Sequence, residues 1–226
     1  MKLTCLTQKP IQTLILIYLL AKYDIFFDKI FYFKKNKTQN FNKNDEGEEC
    51  FHSLNYQCKI LKIKLIQLTV KNQLQALKHL QKNQNNYGIS LISDFILDSK
   101  IIKKFKGGIF STHAGILPMF RGVDTNKWAI LNGNRFVGIT LFKLDEGVDT
   151  GKIIKVIKCN YKKKFRKISE INKYLYYKHK LYLFVDLLKK IKKGEKIKFQ
   201  LQKKKYPQFY KMTRTKTNLV KNLIRN

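Results

Sequence analysis

Residues 107–122 read GGIFSTHAGILPMFRG. Gly107 and Gly108 punctuate the chain, and the short apolar run after them reads as a buried strand. That strand delivers Ser111, Thr112 and His113 to its C-terminal end. A loop shaped by Gly115, Pro118, Arg121 and Gly122 follows. In a parallel α/β sheet, residues just beyond strand C-termini face the ligand crevice. His113, one of four histidines in the chain, is therefore the first candidate for chemistry.

Strands and helices alternate on either side of this stretch. LTCL at 3–6 reads as a strand, and Pro10 suits the first turn of a helix to about Lys22. DKIFYF at 28–33 is a second strand. A polar stretch at 34–50 without hydrophobic period reads as a long loop or insertion. KILKIKLIQL at 59–68 has strand character, and Leu74, Leu77 and Leu80 have helical spacing within 72–83. ISLIS at 89–93 reads as a buried strand and 98–105 as a short helix. Beyond the opening motif, a helix is expected near 124–132, strands at 136–144 and 152–160, and a Ser169-capped helix to about Lys190. The tyrosines and His179 of that helix read as packing, and His79 as a helix-surface residue. This order argues for an α/β fold with a mostly parallel central sheet and helices on both faces.

The chain has 226 residues, 44% of them hydrophobic, which fits one sizeable globular domain. Forty-seven Lys and Arg against 15 Asp and Glu give a net charge of +32. Such a field attracts nucleic acid, anionic membrane or phosphorylated substrates. The excess is almost all lysine, accompanied by Asn, Gln, Tyr, Ile and Phe, a pattern that an AT-rich coding sequence also produces. Cys5, Cys50, Cys58 and Cys159 form no CxxC pair, so no zinc pattern or disulfide framework is expected, and no metal. The apolar run LILIYLLA at 14–21 is too short for a bilayer span. A cytoplasmic location is the expectation.

Asp149 occupies a position like that of His113, after a strand and beside glycines. An imidazole exchanges a proton near neutral pH, and a carboxylate can orient it or stabilise its charged form. Arg121 is available either to an anion or to backbone carbonyls. No GxGxxG or phosphate-loop motif is present.

THAGILPMFRG, KWAILNG and VGITLFKLDEGVDTGKII at 137–154 closely resemble the 10-formyltetrahydrofolate-dependent formyltransferase family. Its members include glycinamide ribonucleotide, methionyl-tRNA and nucleotide-sugar formyltransferases. The resemblance is strongest over 107–154, and it implies a Rossmann-like formyltransferase fold. It also implies transfer of a formyl group from 10-formyltetrahydrofolate to an amine, without a catalytic metal. His113 would stabilise or protonate the developing oxyanion, and Asp149 would polarise the histidine or a water. Backbone from Leu91, Ile92, Ser93 and Asp94, with Asp145 and Gly147, would lie near the folate pteridine. Arg121, Gly115 and Pro118 are the expected substrate-binding residues.

Two positions depart from the family pattern. Ser111 stands where the family has an asparagine that donates to the transition-state oxygen, so it is both a catalytic candidate and a possible point of lost activity. Phe142 stands where many relatives carry histidine, and otherwise packs its strand. Near the C-terminal end, Gln202 and Tyr210 resemble the family's terminal Gln and aromatic pattern. The expected organisation is a catalytic domain over 1–190, with a polar insertion near 34–57, and a basic extension over 191–226. That extension is too short and lysine-rich to assign the added barrel of complete methionyl-tRNA enzymes. A small-molecule amine, such as a nucleotide-linked amino sugar, is therefore preferred as acceptor over tRNA. The alternatives are a catalytically impaired binding protein, or a methionyl-tRNA or glycinamide ribonucleotide formyltransferase.

Overall fold

The computed structural model describes residues 1–34, 47–80, 86–162, 165–204 and 206–225. Its strands and helices are β1 (Lys2–Thr7), α1 (Pro10–Ala21), β2 (Lys29–Lys34), α2 (Gly47–Ile60), β3 (Lys64–Thr69), β4 (Asn86–Leu91), α3 (Ser99–Lys104), β5 (Gly108–His113), β6 (Arg121–Gly122), α4 (Thr125–Leu131), β7 (Phe136–Lys143), β8 (Ile153–Asn160), α5 (Ile168–Leu175), α6 (Leu181–Lys192), β9 (Gln208–Phe209) and α7 (Arg214–Arg225). A seven-stranded sheet has the order β3-β2-β1-β4-β5-β7-β8, and β6 and β9 form a separate pair. This mixed, mostly parallel sheet flanked by helices is a Rossmann-like arrangement.

The chain divides into two compact units, Met1–Phe110 with Leu188–Gly194, and Ser111–Leu187 with Glu195–Asn226. In the first, β1 pairs in parallel with both β2 and β4, placing Cys5 opposite Ile30 and Ile89. β2 pairs in parallel with β3. The apolar run of α1 is explained by burial, since Leu16, Ile17 and Leu20 enter the core with Leu3, Leu6 and Phe31.

Two expectations in this unit are corrected. Residues 35–46 of the polar insertion lie outside the described residues, but Gly47–Ile60 is helix rather than loop. Its Leu54 and Cys58, one helical turn apart, are buried. The polar residues between them hide that short stripe from a periodicity reading. The helix expected over 72–83 is instead a 3₁₀ turn at Gln73–His79. Its buried pair is Ala76 and Leu80, whereas Leu74 is exposed.

In the second unit, β7 and β8 pair antiparallel, with Ile139 opposite Ile157. The direct link 144–152 contains no crossover helix, so a parallel arrangement was not available to it. The Asn126 side chain bonds both backbone groups of Gly138, at 2.9 and 3.1 Å, fastening α4 to β7. Ser169 is not the cap of α5. The boundary residue is Lys167, and the Glu170 carboxylate accepts the Arg166 and Lys167 amides. A π-helical turn at Tyr176–Lys180 then leads into α6.

The basic tail is more structured than its composition implied. Gln208 and Phe209 pair in parallel with Arg121 and Gly122. Arg214–Arg225 is helical and buries Val220 and Ile224, again one turn apart. Lysine density disguised that two-residue stripe. No helix among the described residues is long and apolar enough to cross a membrane.

Candidate functional site

The second unit brings His113 and Asp149 together. His113 ends β5 and is 7% exposed, and its Nδ1 lies 3.2 Å from Asp149 Oδ2. The same carboxylate oxygen accepts the Gly122 amide at 3.0 Å. The other ring nitrogen, Nε2, lies 2.7 Å from the Phe120 carbonyl oxygen. A carbonyl only accepts, so Nε2 carries a hydrogen. Any further proton on the ring then resides at Nδ1, facing the carboxylate.

The loop after His113 is braced from several directions. Thr125 Oγ1 donates to the Ala114 carbonyl, and Thr140 Oγ1 donates to Gly115 at 2.6 Å. Thr140 Oγ1 in turn accepts the Leu117 amide at 3.2 Å. Gly115 is required for closeness: a Cβ there would sit 2.6 Å from His113 Nε2 and 2.7 Å from the Phe120 oxygen. Gly115 thus belongs to the wall behind the imidazole. Pro118 is half-buried in this loop and follows a cis peptide bond.

Asp149 has a left-handed backbone, φ 54°. Aspartate tolerates that region better than most residues, but the conformation still needs support. Support comes from the far side of the loop. Gln202 Nε2 donates to the Asp149 carbonyl at 3.0 Å and to the Gly151 carbonyl at 2.7 Å. A Cβ on Gly151 would collide with the Lys143 carbonyl oxygen, so the loop closes tightly at this glycine.

Ser111 and His113 are two residues apart on one strand and therefore share a face. Ser111 is 6% exposed. Arg121 is half-buried, and its Nε is shielded from solvent without a hydrogen-bond partner, so this atom anchors no carbonyl. Phe142 is packed against Leu117 and Ile153. Asp145 is exposed and its Oδ1 accepts from the Gly147 amide at 3.1 Å and Thr150 Oγ1 at 2.7 Å, shaping the turn itself. In the first unit, Leu91 ends β4 and is buried, Ile92 is half-buried, and Ser93 and Asp94 are exposed. Ser93 Oγ donates to Asp94 Oδ1 at 2.6 Å, and Lys9 Nζ lies 4.0 Å from that oxygen.

Sequence reasoning missed the Phe120 carbonyl, the Gly122 amide, Thr125 and Thr140. Backbone groups have no side-chain signature, and the two threonines carry no motif of their own. Gln202 was noticed only for its place in a terminal pattern.

These features sit on a Formyl transferase chain: the family's profile matches residues 54–183, and the protein belongs to that family. Among its relatives is the methionyl-tRNA formyltransferase of Agathobacter rectalis, 42% identical over 59 residues. That alignment covers 26% of this chain and only 19% of the relative. Among solved structures, a phosphoribosylglycinamide formyltransferase from Bacillus halodurans superposes with a TM-score of 0.66 at 15% identity, covering 84% of this chain and 95% of that one. A 4-N formyltransferase from Francisella tularensis gives 0.64 at 15% identity, covering 99% and 87%. The structural likenesses establish the fold.

Proposed function

We propose that this protein is an N-formyltransferase that takes the formyl group of 10-formyltetrahydrofolate to an amine. The single observation that carries the reading is the His113–Asp149 pair, held from both ring nitrogens within a family that transfers formyl groups. The donor supplies a formyl group on a nitrogen that can leave. The acceptor nitrogen must lose one proton as its new bond to carbon forms, and the departing nitrogen must gain one. The His113–Asp149 pair is assigned to hold that proton between the two events, the Asp149 carboxylate taking it from the acceptor nitrogen directly or through water and passing it to the departing nitrogen. Ser111 Oγ, on the same face of β5, is assigned donation to the oxygen that gains charge. Nε2 is already engaged by Phe120, so direct donation from that nitrogen would require exchange of its partner.

Arg121, whose buried Nε lacks a partner, is assigned an anionic part of a substrate. Backbone of Leu91–Asp94 is assigned to the folate. Asp145 is better suited to shaping its loop, because its Oδ1 already holds Gly147 and Thr150.

For the acceptor, the curated relatives support methionyl-tRNA ahead of the small amine expected from sequence. Methionyl-tRNA formyltransferases from several organisms match this chain, that of Agathobacter rectalis at 42% over 59 residues. The net charge of +32 also suits a phosphate backbone. Methionyl-tRNA is thus the first acceptor to test. A formyltransferase-fold protein of impaired activity is the second reading, carried by Ser111.

The test incubates the protein with 10-formyltetrahydrofolate and, separately, methionyl-tRNA, glycinamide ribonucleotide and nucleotide-linked amino sugars. Formyl transfer to methionyl-tRNA is expected, with H113A and D149A inactive. Donor binding without transfer to any acceptor would favour the impaired protein instead.

A further inference from the structure

We infer that Gln202 is a positioning residue for Asp149, so that the lysine-rich C-terminal segment is part of the catalytic apparatus. The geometry begins with a reciprocal bridge: Ile153 N donates to Gln200 O at 2.9 Å, and Gln200 N donates to Ile153 O at 2.8 Å. Two residues further in each direction, an antiparallel register sets Gln202 opposite Gly151. There the Gln202 amide uses its nitrogen on both sides of Thr150, donating to the carbonyls of Asp149 and Gly151. An NH₂ group has two hydrogens, and only this nitrogen, not Oε1, can satisfy two acceptors.

The consequence falls on a residue whose backbone is in the left-handed region and whose side chain must meet both Nδ1 and the Gly122 amide. The same C-terminal segment reaches that second partner. β9 pairs with Arg121 and Gly122, Trp128 Nε1 donates to the Tyr210 carbonyl at 2.8 Å, and Met212 N donates to Asp124 Oδ2 at 3.0 Å. Gln202 fixes the backbone of Asp149, while β9 fixes the amide that its carboxylate accepts.

The inference leans on formyl transfer for its kinetic arm only. Q202M preserves length and removes both donors. Its kcat should fall on the order of 10- to 100-fold, the cost of a small misplacement, with both KM values nearly unchanged. Q202K restores donors and should recover most of the loss. Q202N, one methylene short, should resemble Q202M and serves if Q202M does not fold. Independently of activity, the ¹⁵N NMR shift of His113 Nδ1 reports its contact with Asp149. It should move in Q202M and D149N, and stay at the parent value in Q202K. Parent-like kcat together with a parent-like Nδ1 signal in folded Q202M would overturn the inference, as would Q202K behaving like Q202M. If the unmodified protein transfers no formyl group, the functional reading fails while the NMR comparison still decides the role of Gln202.

Discussion

The two ends of the 144–152 loop each present an aspartate, and the two carboxylates do different work. Asp145 turns inward on its own loop, accepting from Gly147 and Thr150. Asp149 reaches outward to the ring of His113 and the amide of Gly122. Composition does not separate them, since both sit in LDEGVDTG. What separates them is backbone: the left-handed turn at Asp149, held by Gln202, aims one carboxylate away from its own loop. In the proposed reaction, the acid that handles the proton is set apart by where it points, more than by the acidity of its surroundings.

The sharpest way to break this contrast is to neutralise each acid. D149N and H113A should lower turnover by about 10²- to 10⁴-fold, the usual worth of a positioned acid or base, whereas D145N should change kcat little and affect mainly thermal stability. Similar losses in D149N and D145N would erase the distinction. G115A attacks the histidine from behind, placing a methyl 2.6 Å from Nε2. We expect a loss of kcat approaching that of H113A, with His113 NMR signals displaced.

At Ser111 the expected effect is smaller. Removing one oxyanion donor can cost about 10²-fold or more. A serine with shorter reach than asparagine should contribute less, so S111A is expected to lose turnover modestly and S111N to maintain or raise it. Equal kcat in all three proteins would remove Ser111 from the mechanism.

The smallest effect concerns Asp124, another aspartate with a left-handed backbone. Burial alone would raise its carboxyl, but the Met212 amide and the Lys127 ammonium outweigh burial and hold it below its ordinary 3.8. The stability this gives is present above that ordinary value and is lost as pH falls through the lower folded one. Amides near Met212 should lose hydrogen-exchange protection below about pH 4, and D124N should abolish that dependence.

Much of this was legible in the sequence. The β1, β4, β5 and β7 strands announced themselves as apolar runs, His113 stood at a strand end, and the family resemblance of the surrounding blocks pointed to Asp149 as its partner. The rest was hidden for physical reasons. Among the described side chains, α2 and α7 bury one turn-spaced pair each among polar residues, Leu54 with Cys58 and Val220 with Ile224. Such a narrow stripe leaves little periodic signal. The Phe120 carbonyl and Gly122 amide are backbone groups, common to every residue type. Lysine content made 191–226 read as a surface extension, although Gln202, Phe209 and Met212 fasten it to the loops around Asp149 and Asp124.

The most direct measurement is the single-turnover rate of formyl transfer from 10-formyltetrahydrofolate to methionyl-tRNA, compared between the unmodified protein and D149N. We expect transfer by the unmodified protein and a fall of about 10²-fold or more in D149N. Equal rates in the two proteins would contradict the assignment of His113 and Asp149 as the pair that carries the proton.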